Sequence, residues 1–472
     1  MDERIRELLR RIPSMEVLLS EDWVAPFEKK IGRQAVKNIF SDIIGSLRKS
    51  LLEGTPVRID ADLIRSMARE RIEKASTRSL VPVVNATGVV IHTNLGRSCL
   101  CESALKAVME CASSYSTLEY DRISGERGYR NDHVEWLLTQ VTGADAALVV
   151  NNNAGAVILC LSALSSGKDA IVSRGELVEI GGSFRIPEIM SASGTRLVEV
   201  GTTNRTHLRD YEAAITETTA MLVKIHPSNF RIVGFHSEVP REDLAVLARE
   251  KGLVFLEDLG SGFLLDPESF GLKGENSVRQ CIMAGVDLVT FSGDKMLGGP
   301  QAGIIAGRSQ LIERLKRHPL MRALRPDKMT LAALEATLRE NLSGNAEAIP
   351  TIKMISEDKK TVLEKARRLC RYLRTHCPAF LFYTIPVQDA VGGGSYPEIP
   401  LEGYGVSISH PGISASELQK KLREGEIPVV AAVREDALRI HVRTLKDGDF
   451  ERIRDALARI AGEREAHEND AS

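Results

Sequence analysis

The stretch "TFSGDKMLGGPQAGIIAG", residues 290–307, places one lysine between an acidic residue and a glycine-rich segment. Gly298, Gly299 and Gly303 all follow Lys295 within eight residues. Glycine weakens ordinary secondary structure and is used where the backbone must approach something closely. A solvated surface lysine needs no such surroundings, so the stretch indicates a chemical role for Lys295.

Short apolar runs alternate with helical stretches around this lysine. The runs are "AALVV", "DAIVS", "TRLVEV", "AMLVKI", "LVFLED", "DLVTFSG" and "AGIIAG". Buried parallel strands are continuous apolar runs, and alternation of strands with helices is typical of α/β proteins. We therefore predict a large α/β domain with a mostly parallel sheet, whose ligands bind beyond the carboxyl ends of its strands.

Three domains are predicted from the change of pattern along the chain. Residues 1–64 have apolar residues at helical spacing, as in "DERIRELLRRI" and "AVKNIFSDIIGSLRKSLLEG". Residues 65–345 hold a linker helix and the large domain. Residues 346–472 read as a long helix, four strand-like runs and the helix "GDFERIRDALARI", which predicts a smaller C-terminal α/β domain with a frayed polar tail.

Composition restricts the partners and the compartment. The formal net charge is -2, so binding to a nucleic acid would need a local basic patch. Seven cysteines without a C-x-x-C pair argue against a disulfide framework and a zinc site, and favour a reducing cytoplasm. No signal peptide and no apolar run of about eighteen residues is present, so no membrane span and no metal are expected.

A second junction, "ALVVNNNAGAVILCLSAL", runs from a strand into a helix. Asn153, Ala154 and Gly155 begin that helix, where free peptide N–H groups and the helix dipole favour a phosphate. An ordinary strand-to-helix turn has the same pattern. The junction is therefore a candidate phosphate site.

A third junction, "GLVFLEDLGSGFLL", ends a strand at Asp258. A buried carboxylate needs a partner such as a protonated heteroaromatic nitrogen, although Asp258 also fits a simple cap. Lys295 can form a Schiff base if burial keeps its amine partly neutral, and Ser292 can add a hydroxyl to a phosphate. Phosphate site, aspartate and lysine together match the phosphate, ring nitrogen and aldehyde of pyridoxal 5'-phosphate.

This order resembles the fold-type I family of pyridoxal-phosphate enzymes. Further motifs resemble the bacterial selenocysteine synthase family, the L-seryl-tRNA(Sec) selenium transferases, over nearly the whole chain. They are "RIPSMEVLL", "VVNATGVVIHTNLGRS", "SRGELVEIGGSFRIPEIM", "EVGTTNRTHLRDYEAAI", "KIHPSNFRIVGF", "EDLGSG" and "RALRPDKMTLAALEATL". One departure is "SCLC" after Arg97, where the family pattern has a proline-containing segment.

The resemblance implies that selenocysteine tRNA charged with serine is converted to selenocysteinyl-tRNA with selenophosphate. The steps would be deprotonation at Cα by Lys295, loss of the β-hydroxyl as water and addition of selenium. It also implies a cytoplasmic homodecamer, a pentamer of dimers, whose N-terminal domain holds the tRNA. Arg97, Arg322 and Arg325 match family active-site arginines, and an arginine fork suits the donor's phosphate.

Some residues and functions keep two interpretations at this stage. Arg322 and Arg325 also fit one solvated helix face, Asp294 also fits a structural cap, and His92 and His226 also fit satisfied structural histidines. One alternative function is a pyridoxal-phosphate lyase or ammonia lyase of a small amino acid or amino sugar, which would need no N-terminal module. Another is a non-catalytic tRNA-binding assembly protein, against which Lys295 and Asp258 argue.

Overall fold

The computed structural model describes residues 12–53, 60–180, 184–227, 229–230, 232–272, 274–393, 395–396 and 399–470. The chain divides into two compact units, Met1–Pro82 and Val83–Ser472. The helix predicted over residues 2–12 lies almost wholly outside the described residues. Within the described ranges, no helix is both long and apolar enough to cross a membrane, and no cluster of His, Cys, Asp and Glu side chains is arranged to hold a metal ion.

The first unit is helical, as the apolar spacing predicts. Its described helices are α1 (Met15–Leu19), α2 (Ala25–Ile31), α3 (Arg33–Leu52) and α4 (Ala61–Ser76). Asp60 begins α4, because its carboxylate accepts a hydrogen bond from the peptide N–H of Leu63 at 2.8 Å, a cap that contributes about 1 kcal/mol. Residues three and four positions apart on α3 and α4 form the centre of an apolar cluster: Val36, Phe40, Ile43, Ile64, Ala68 and Ile72.

The second unit combines strands and helices. Its strands are β1 (Val84–Ala86), β2 (Val89–Ile91), β3 (Ala146–Val150), β4 (Asp169–Ser173), β5 (Glu179–Ile180), β6 (Phe184–Arg185), β7 (Arg196–Val200), β8 (Thr219–Ile225), β9 (Val254–Gly260), β10 (Leu288–Ser292), β11 (Gly303–Gly307), β12 (Leu381–Gly392), β13 (Pro400–Ser409), β14 (Val429–Arg434) and β15 (Ala437–His441). Its helices are α5 (Glu102–Ser113), α6 (Asp132–Thr142), α7 (Asn153–Ser165), α8 (Ile186–Ala192), α9 (Leu208–Ala214), α10 (Arg241–Lys251), α11 (Val278–Met283), α12 (Ser309–Lys316), α13 (Leu320–Leu324), α14 (Lys328–Leu342), α15 (Pro350–Ser356), α16 (Lys359–His376), α17 (Ala415–Arg423) and α18 (Asp449–Asp470).

A seven-stranded sheet with the order β3-β11-β10-β9-β8-β4-β7 forms the centre of the large domain. All seven apolar runs of the sequence are strands of this sheet, which confirms the predicted α/β fold. Successive residues of β3 pack into different apolar clusters, with Ala147 and Val149 in one and Leu148 and Val150 in the other, so both faces are covered. β11 runs antiparallel to both of its neighbours, and the other pairs are parallel.

A second sheet has six strands in the order β1-β14-β15-β13-β12-β2. Four of its strands come from the predicted C-terminal domain. Its two edges are β1 and β2, which pair parallel to β14 and β12 although they precede the large sheet in the chain. The segment that leads to Arg97 therefore begins in the sheet of the C-terminal strands.

The end of the chain differs from the prediction of a frayed tail. Helix α18 continues from Asp449 to Asp470, ten residues beyond the end of "GDFERIRDALARI" at Ile460. Ile453, Leu457 and Ile460 of this helix are buried. The backbone stays helical up to Asp470, and the sequence after Ile460 contains good helix formers such as Glu and Ala.

Candidate active site

The three junctions singled out in the sequence meet at one edge of the large sheet. Strands β3, β9 and β10 run in the same direction, so their carboxyl ends share that edge. In the register, Thr290 lies beside Asp258, and Gly303 lies between Ser292 and Val150 on the two neighbouring strands. This arrangement follows the rule that ligands of such sheets bind beyond the carboxyl ends of strands.

Asp258 is buried near the end of β9, where the residue is only 6% exposed. Its Oδ1 atom accepts hydrogen bonds from Asn153 Nδ2 at 2.8 Å and from Thr290 Oγ1 at 2.9 Å. Burial raises the pKa of the carboxyl, while these hydrogen bonds and the charge of Lys295 oppose that shift. Both hydrogen bonds fall on Oδ1, so Oδ2 is the oxygen that can accept from a ligand cation.

The loop before α7 is built so that strand β11 can approach it closely. A Cβ atom on Gly303 would lie 2.1 Å from the carbonyl oxygen of Asn152, so only glycine fits there. Asn152 caps α7, because its Oδ1 accepts the peptide N–H of Gly155 at 2.8 Å. The peptide N–H groups of Asn153 and Ala154 are therefore the first-turn donors that remain for an anion.

The peptide N–H of Gly155 is already bonded to Asn152, and the lack of a side chain at Gly155 leaves room in the turn. A Cβ atom on Gly155 would lie 3.0 Å from Leu324 Cδ2 and 3.4 Å from Asn151 Oδ1. Ser292, the last residue of β10, is buried and pairs in register with Gly303, the residue that lies against the same loop.

Lys295 lies in the turn after β10 and is 7% exposed. Its carbonyl oxygen accepts hydrogen bonds from Ser98 Oγ at 2.6 Å and from the peptide N–H of Gly298 at 3.0 Å, which fix the turn. Burial lowers the pKa of the amine; the charge of Asp258 opposes this shift and that of Arg97 reinforces it. A larger fraction of the amine is therefore neutral than in a solvated lysine, as nucleophilic attack and proton abstraction require.

Arg97 reaches this turn from a separate part of the chain. The carbonyl oxygen of His92 accepts hydrogen bonds from the peptide N–H groups of Leu95 and Arg97, which closes a tight turn. Arg97 has a φ of 62°, a left-handed conformation that is uncommon outside glycine. Its Nη1 atom lies 2.6 Å from Asp294 Oδ2. Asp294 is thus the ion-pair partner of Arg97.

The short helix that contains Arg322 and precedes Arg325 is joined to the phosphate loop. Helix α13 ends at Leu324, whose carbonyl oxygen accepts the peptide N–H of Asn151 at 2.8 Å. Arg322 lies within this short helix and is exposed, whereas Arg325 follows it in extended conformation. The two side chains therefore do not form one continuous helix face.

His226 and His92 have polar atoms that face the interior. The peptide N–H of His226 donates to the carbonyl oxygen of Asp258 at 2.9 Å, and its Nε2 lies 3.3 Å from Glu275 Oε1 without hydrogen-bond geometry. His226 also lines a cavity of about 700 Å³, and neither Lys295 nor Asp258 is among the residues that line it. Burial lowers the pKa of His92, whose Nδ1 has no hydrogen-bond partner among the described residues.

The residues fit pyridoxal 5'-phosphate. Asp258 can pair with the ring nitrogen, the first turn of α7 can hold the phosphate, and Lys295 can bond the aldehyde carbon. Asn153 Oδ1 and Ser261 Oγ are buried and have no hydrogen-bond partner in the described part of the chain. Such atoms are costly unless a ligand or water satisfies them, which supports a polar group bound at this edge.

Several contacts of the site were not predicted from the sequence. Thr290 bonds Asp258, and Ser98 fixes the backbone of Lys295. Thr290 had a recognisable signal, because it is a polar residue inside the apolar run "DLVTFSG". Ser98 had none, since it comes from a segment about two hundred residues away in the chain.

The fold and this arrangement of lysine, aspartate and helix N-terminus define a fold-type I pyridoxal-phosphate enzyme. Among solved structures, that of a D-glucosaminate-6-phosphate ammonia-lyase is similar in fold, with a TM-score of 0.58. The two chains are 19% identical, and the match covers 81% of this chain and 96% of that chain. This likeness concerns the fold.

Residues 83–446 match the family described as L-seryl-tRNA selenium transferase, and residues 9–48 match the selenocysteine synthase N terminal family. The L-seryl-tRNA(Sec) selenium transferase of Clostridium perfringens (strain ATCC 13124) is 48% identical, covering 96% of this chain and 99% of that protein. The enzyme of the same name from Caldanaerobacter subterraneus subsp. tengcongensis is 44% identical, with 97% and 99% covered. The chain belongs to the L-seryl-tRNA selenium transferase family.

Proposed function

We propose that the protein transfers selenium to the seryl group of L-seryl-tRNA(Sec), with selenophosphate as the selenium donor and pyridoxal phosphate as the cofactor. One observation carries the proposal in a chain of this family. Asn153, at the start of α7, donates a hydrogen bond to Asp258 at the sheet edge where Lys295 also lies. When bound, the cofactor supplies an electron sink for the negative charge left at Cα after deprotonation.

Lys295 is the base in this proposal. Burial keeps part of its amine neutral, so that it can take the Cα proton of the seryl group. The Asp258 carboxylate favours a positive charge at the ring-nitrogen position. That positive charge in turn offsets the free-energy cost of burying the Asp258 carboxylate. The hydrogen bonds from Asn153 and Thr290 keep the carboxylate in one orientation.

Arg97, Arg322 and Arg325 are proposed to hold the donor's phosphate. Guanidinium groups bind phosphate oxygens in pairs, with two parallel N–H donors. Arg97 is connected to Lys295 through Asp294, its sequence neighbour, and Arg325 is connected to the loop of Asn151 through Leu324. Arg97 is thus attached to the turn of Lys295, and the segment before Arg325 to the loop of Asn151.

The first unit, Met1–Pro82, which contains the predicted N-terminal domain of residues 1–64 and the whole of α4, is proposed to bind the tRNA, and the second unit to form the catalytic body. Support comes from the exposed Lys29, Lys30, Arg33 and Lys37 on the helices of the first unit. A homodecamer of five dimers and a cytoplasmic location complete the proposal on the strength of the family resemblance. Light scattering of the purified protein measures the decamer directly.

The deciding experiment supplies the protein with pyridoxal phosphate, seryl-tRNA(Sec) and selenophosphate, and identifies the aminoacyl group that is released. Selenocysteine that depends on all three components is the expected product. Free serine and an amino sugar phosphate serve as parallel substrates. Release of ammonia from either of them, with unchanged seryl-tRNA, would instead establish a small-molecule lyase, and tRNA binding without any turnover would establish an assembly protein.

A further inference from the structure

A small hairpin lies against the turn that contains Arg325. Residues 119–128 form it, with hydrogen bonds from the peptide N–H of Asp121 to the carbonyl oxygen of Glu126 at 2.9 Å and from that of Gly128 to that of Glu119 at 3.1 Å. Just after the hairpin, Arg130 Nη1 donates to the carbonyl oxygen of Pro326 at 2.5 Å. The hairpin is thus attached to the residue that follows Arg325.

One carboxylate at the base of this hairpin collects three arginines. Glu119 Oε1 accepts from Arg130 Nε at 2.9 Å and also from Arg130 Nη2, and Oε2 accepts from Arg127 Nη2 at 2.8 Å. Arg325 Nη1 lies 3.5 Å from the same Oε1. The hydrogen bond from Arg130 is the main cause that lowers the pKa of Glu119, so the carboxylate is ionised at neutral pH.

The backbone around Arg325 is already fixed on both sides. The carbonyl oxygen of Leu324 accepts from Asn151, that of Pro326 accepts from Arg130, and Asp327 caps α14. What remains to be set is the direction of the Arg325 side chain, which is 36% exposed. The Glu119 carboxylate is the described acidic group within ion-pair distance of it.

We propose that Glu119 is a positioning residue, which holds the guanidinium of Arg325 in the orientation that binds an oxyanion beside the Asn151 loop. The inference rests on the proposed function, because the oxyanion is taken to be the phosphate of the selenium donor. Three guanidinium groups face one carboxylate here, so a net positive charge remains for the ligand. Without Glu119, the like charges of Arg127 and Arg130 would push Arg325 away.

The sign of the effect separates positioning from simple electrostatics. Glu119→Gln removes a negative charge next to an anion site, so electrostatics alone predicts tighter anion binding and a lower KM for selenophosphate. Loss of orientation predicts the opposite. We expect a KM for selenophosphate, and an inhibition constant for inorganic phosphate, raised roughly two- to fivefold, the scale of one partly exposed ion pair.

The experiment measures KM and kcat with selenophosphate, and inhibition by inorganic phosphate, in the full-length enzyme with bound cofactor. Glu126→Gln is the matched control, because Glu126 is exposed on the same hairpin and its carboxylate contacts none of the described charged groups. This variant removes one negative charge, as Glu119→Gln does, but leaves the contact with Arg325 intact. Its KM for selenophosphate should therefore stay at or below that of the wild type. Glu119→Asp keeps the charge on a shorter side chain and should give an intermediate KM.

The outcomes distinguish this inference from the proposed function. A wild-type enzyme whose turnover does not depend on selenophosphate would overturn the proposed function itself. A wild type that uses selenophosphate, together with a Glu119→Gln variant whose KM is unchanged or lower, overturns the positioning role alone. If Glu119→Gln does not fold, as judged by circular dichroism, the comparison of Glu119→Asp with wild type decides: a normal KM contradicts the inference, and a raised one supports it.

Discussion

Arg97 and Asp294 form an ion pair with 2.6 Å between Nη1 and Oδ2, directly beside the lysine of the site. Arg97 is therefore already paired before any anion arrives, and an incoming phosphate must share its guanidinium with Asp294. The two partners shift the pKa of Lys295 in opposite directions, because the charge of Arg97 lowers it and the charge of Asp294 raises it. The two partners can thus be separated by experiment.

We expect opposite shifts when either partner is neutralised. Asp294→Asn should lower the pKa of Lys295 further, and Arg97→Met should raise it, because each change removes one of two opposing charges. The pH dependence of the rate at which the apo-protein captures pyridoxal phosphate, followed by absorbance, reports the fraction of neutral amine. The profile should move to lower pH in the first variant and to higher pH in the second. Shifts in the same direction would contradict this electrostatic account.

Lys295→Ala should lower turnover by about a hundred- to ten-thousandfold, the usual contribution of a positioned general base. Covalent capture of the cofactor should also be lost, because alanine has no amine to bond the aldehyde carbon. Borohydride reduction of the wild type followed by peptide mapping tests the assignment. A pyridoxyl group on a lysine other than Lys295 would refute it. Lys168→Ala, which changes an exposed lysine, is the control and should retain the modification.

Local patterns were enough to predict the large sheet and the order of its site residues. Each strand of that sheet is one of the short, mainly apolar runs of the sequence, and the site residues lie at or just after strand ends, where topology brings them together. The antiparallel direction of β11 was not predictable in this way. A buried strand has the same apolar pattern in both directions, and the short connection from β10 became evident only in the structure.

Contacts between distant segments are what the sequence could not show. β1 and β2 join the sheet of the C-terminal strands, and their partners β14 and β12 lie more than two hundred residues further along the chain. No periodicity in the sequence encodes a pairing over such a distance. The same is true of Ser98 with Lys295 and of Glu119 with Arg325. These long-range contacts orient the side chains, whereas local pattern identified which residue types stand at the strand ends.

Substitution of Arg97, Arg322 or Arg325 by lysine should weaken the use of selenophosphate while leaving cofactor binding intact. A lysine keeps the charge but cannot reproduce the two parallel hydrogen bonds of a guanidinium. The measurement is KM for selenophosphate, together with the absorbance of bound cofactor. Arg308→Lys is the control, because Arg308 pairs with Asp287 after the far end of β11, and it should leave both quantities unchanged. An unchanged KM in all three variants would rule out this role.

Asp258→Asn should stabilise the apo-protein at alkaline pH while it impairs the enzyme. Burial raises the folded-state pKa of Asp258 above its unfolded value, so its contribution to stability is present below the unfolded pKa and lost as pH rises through the folded pKa. The Tm of the apo-variant should therefore exceed that of apo wild type at pH 8, and the difference should shrink toward pH 4. Asp42→Asn, at an exposed helix position, should show no such trend. A wild type at least as stable as the variant at pH 8 would contradict the prediction.

Deletion of the first unit should separate tRNA binding from cofactor binding. The cut belongs between Pro82 and Val83, because α4 packs in the apolar cluster of the first unit and β1 pairs with β14 in the second. The remaining chain keeps Asp258, Lys295 and the complete sheets, so it should fold and bind pyridoxal phosphate. Circular dichroism and cofactor absorbance check this part.

The same deletion should abolish salt-sensitive binding of selenocysteine tRNA. Lys29, Lys30, Arg48 and Lys49 are exposed on the helices of the first unit, but acids such as Glu53 lie among them, so contact is expected as a local basic stripe that follows the RNA backbone. A fluorescence titration at several salt concentrations measures it for the full chain and the deletion. The matched variant replaces Lys29 and Lys30 with glutamate in the full chain. It should lower the affinity for the tRNA, and the affinity should fall less steeply as the salt concentration rises. Unchanged affinity in the deletion would place tRNA recognition in the catalytic unit.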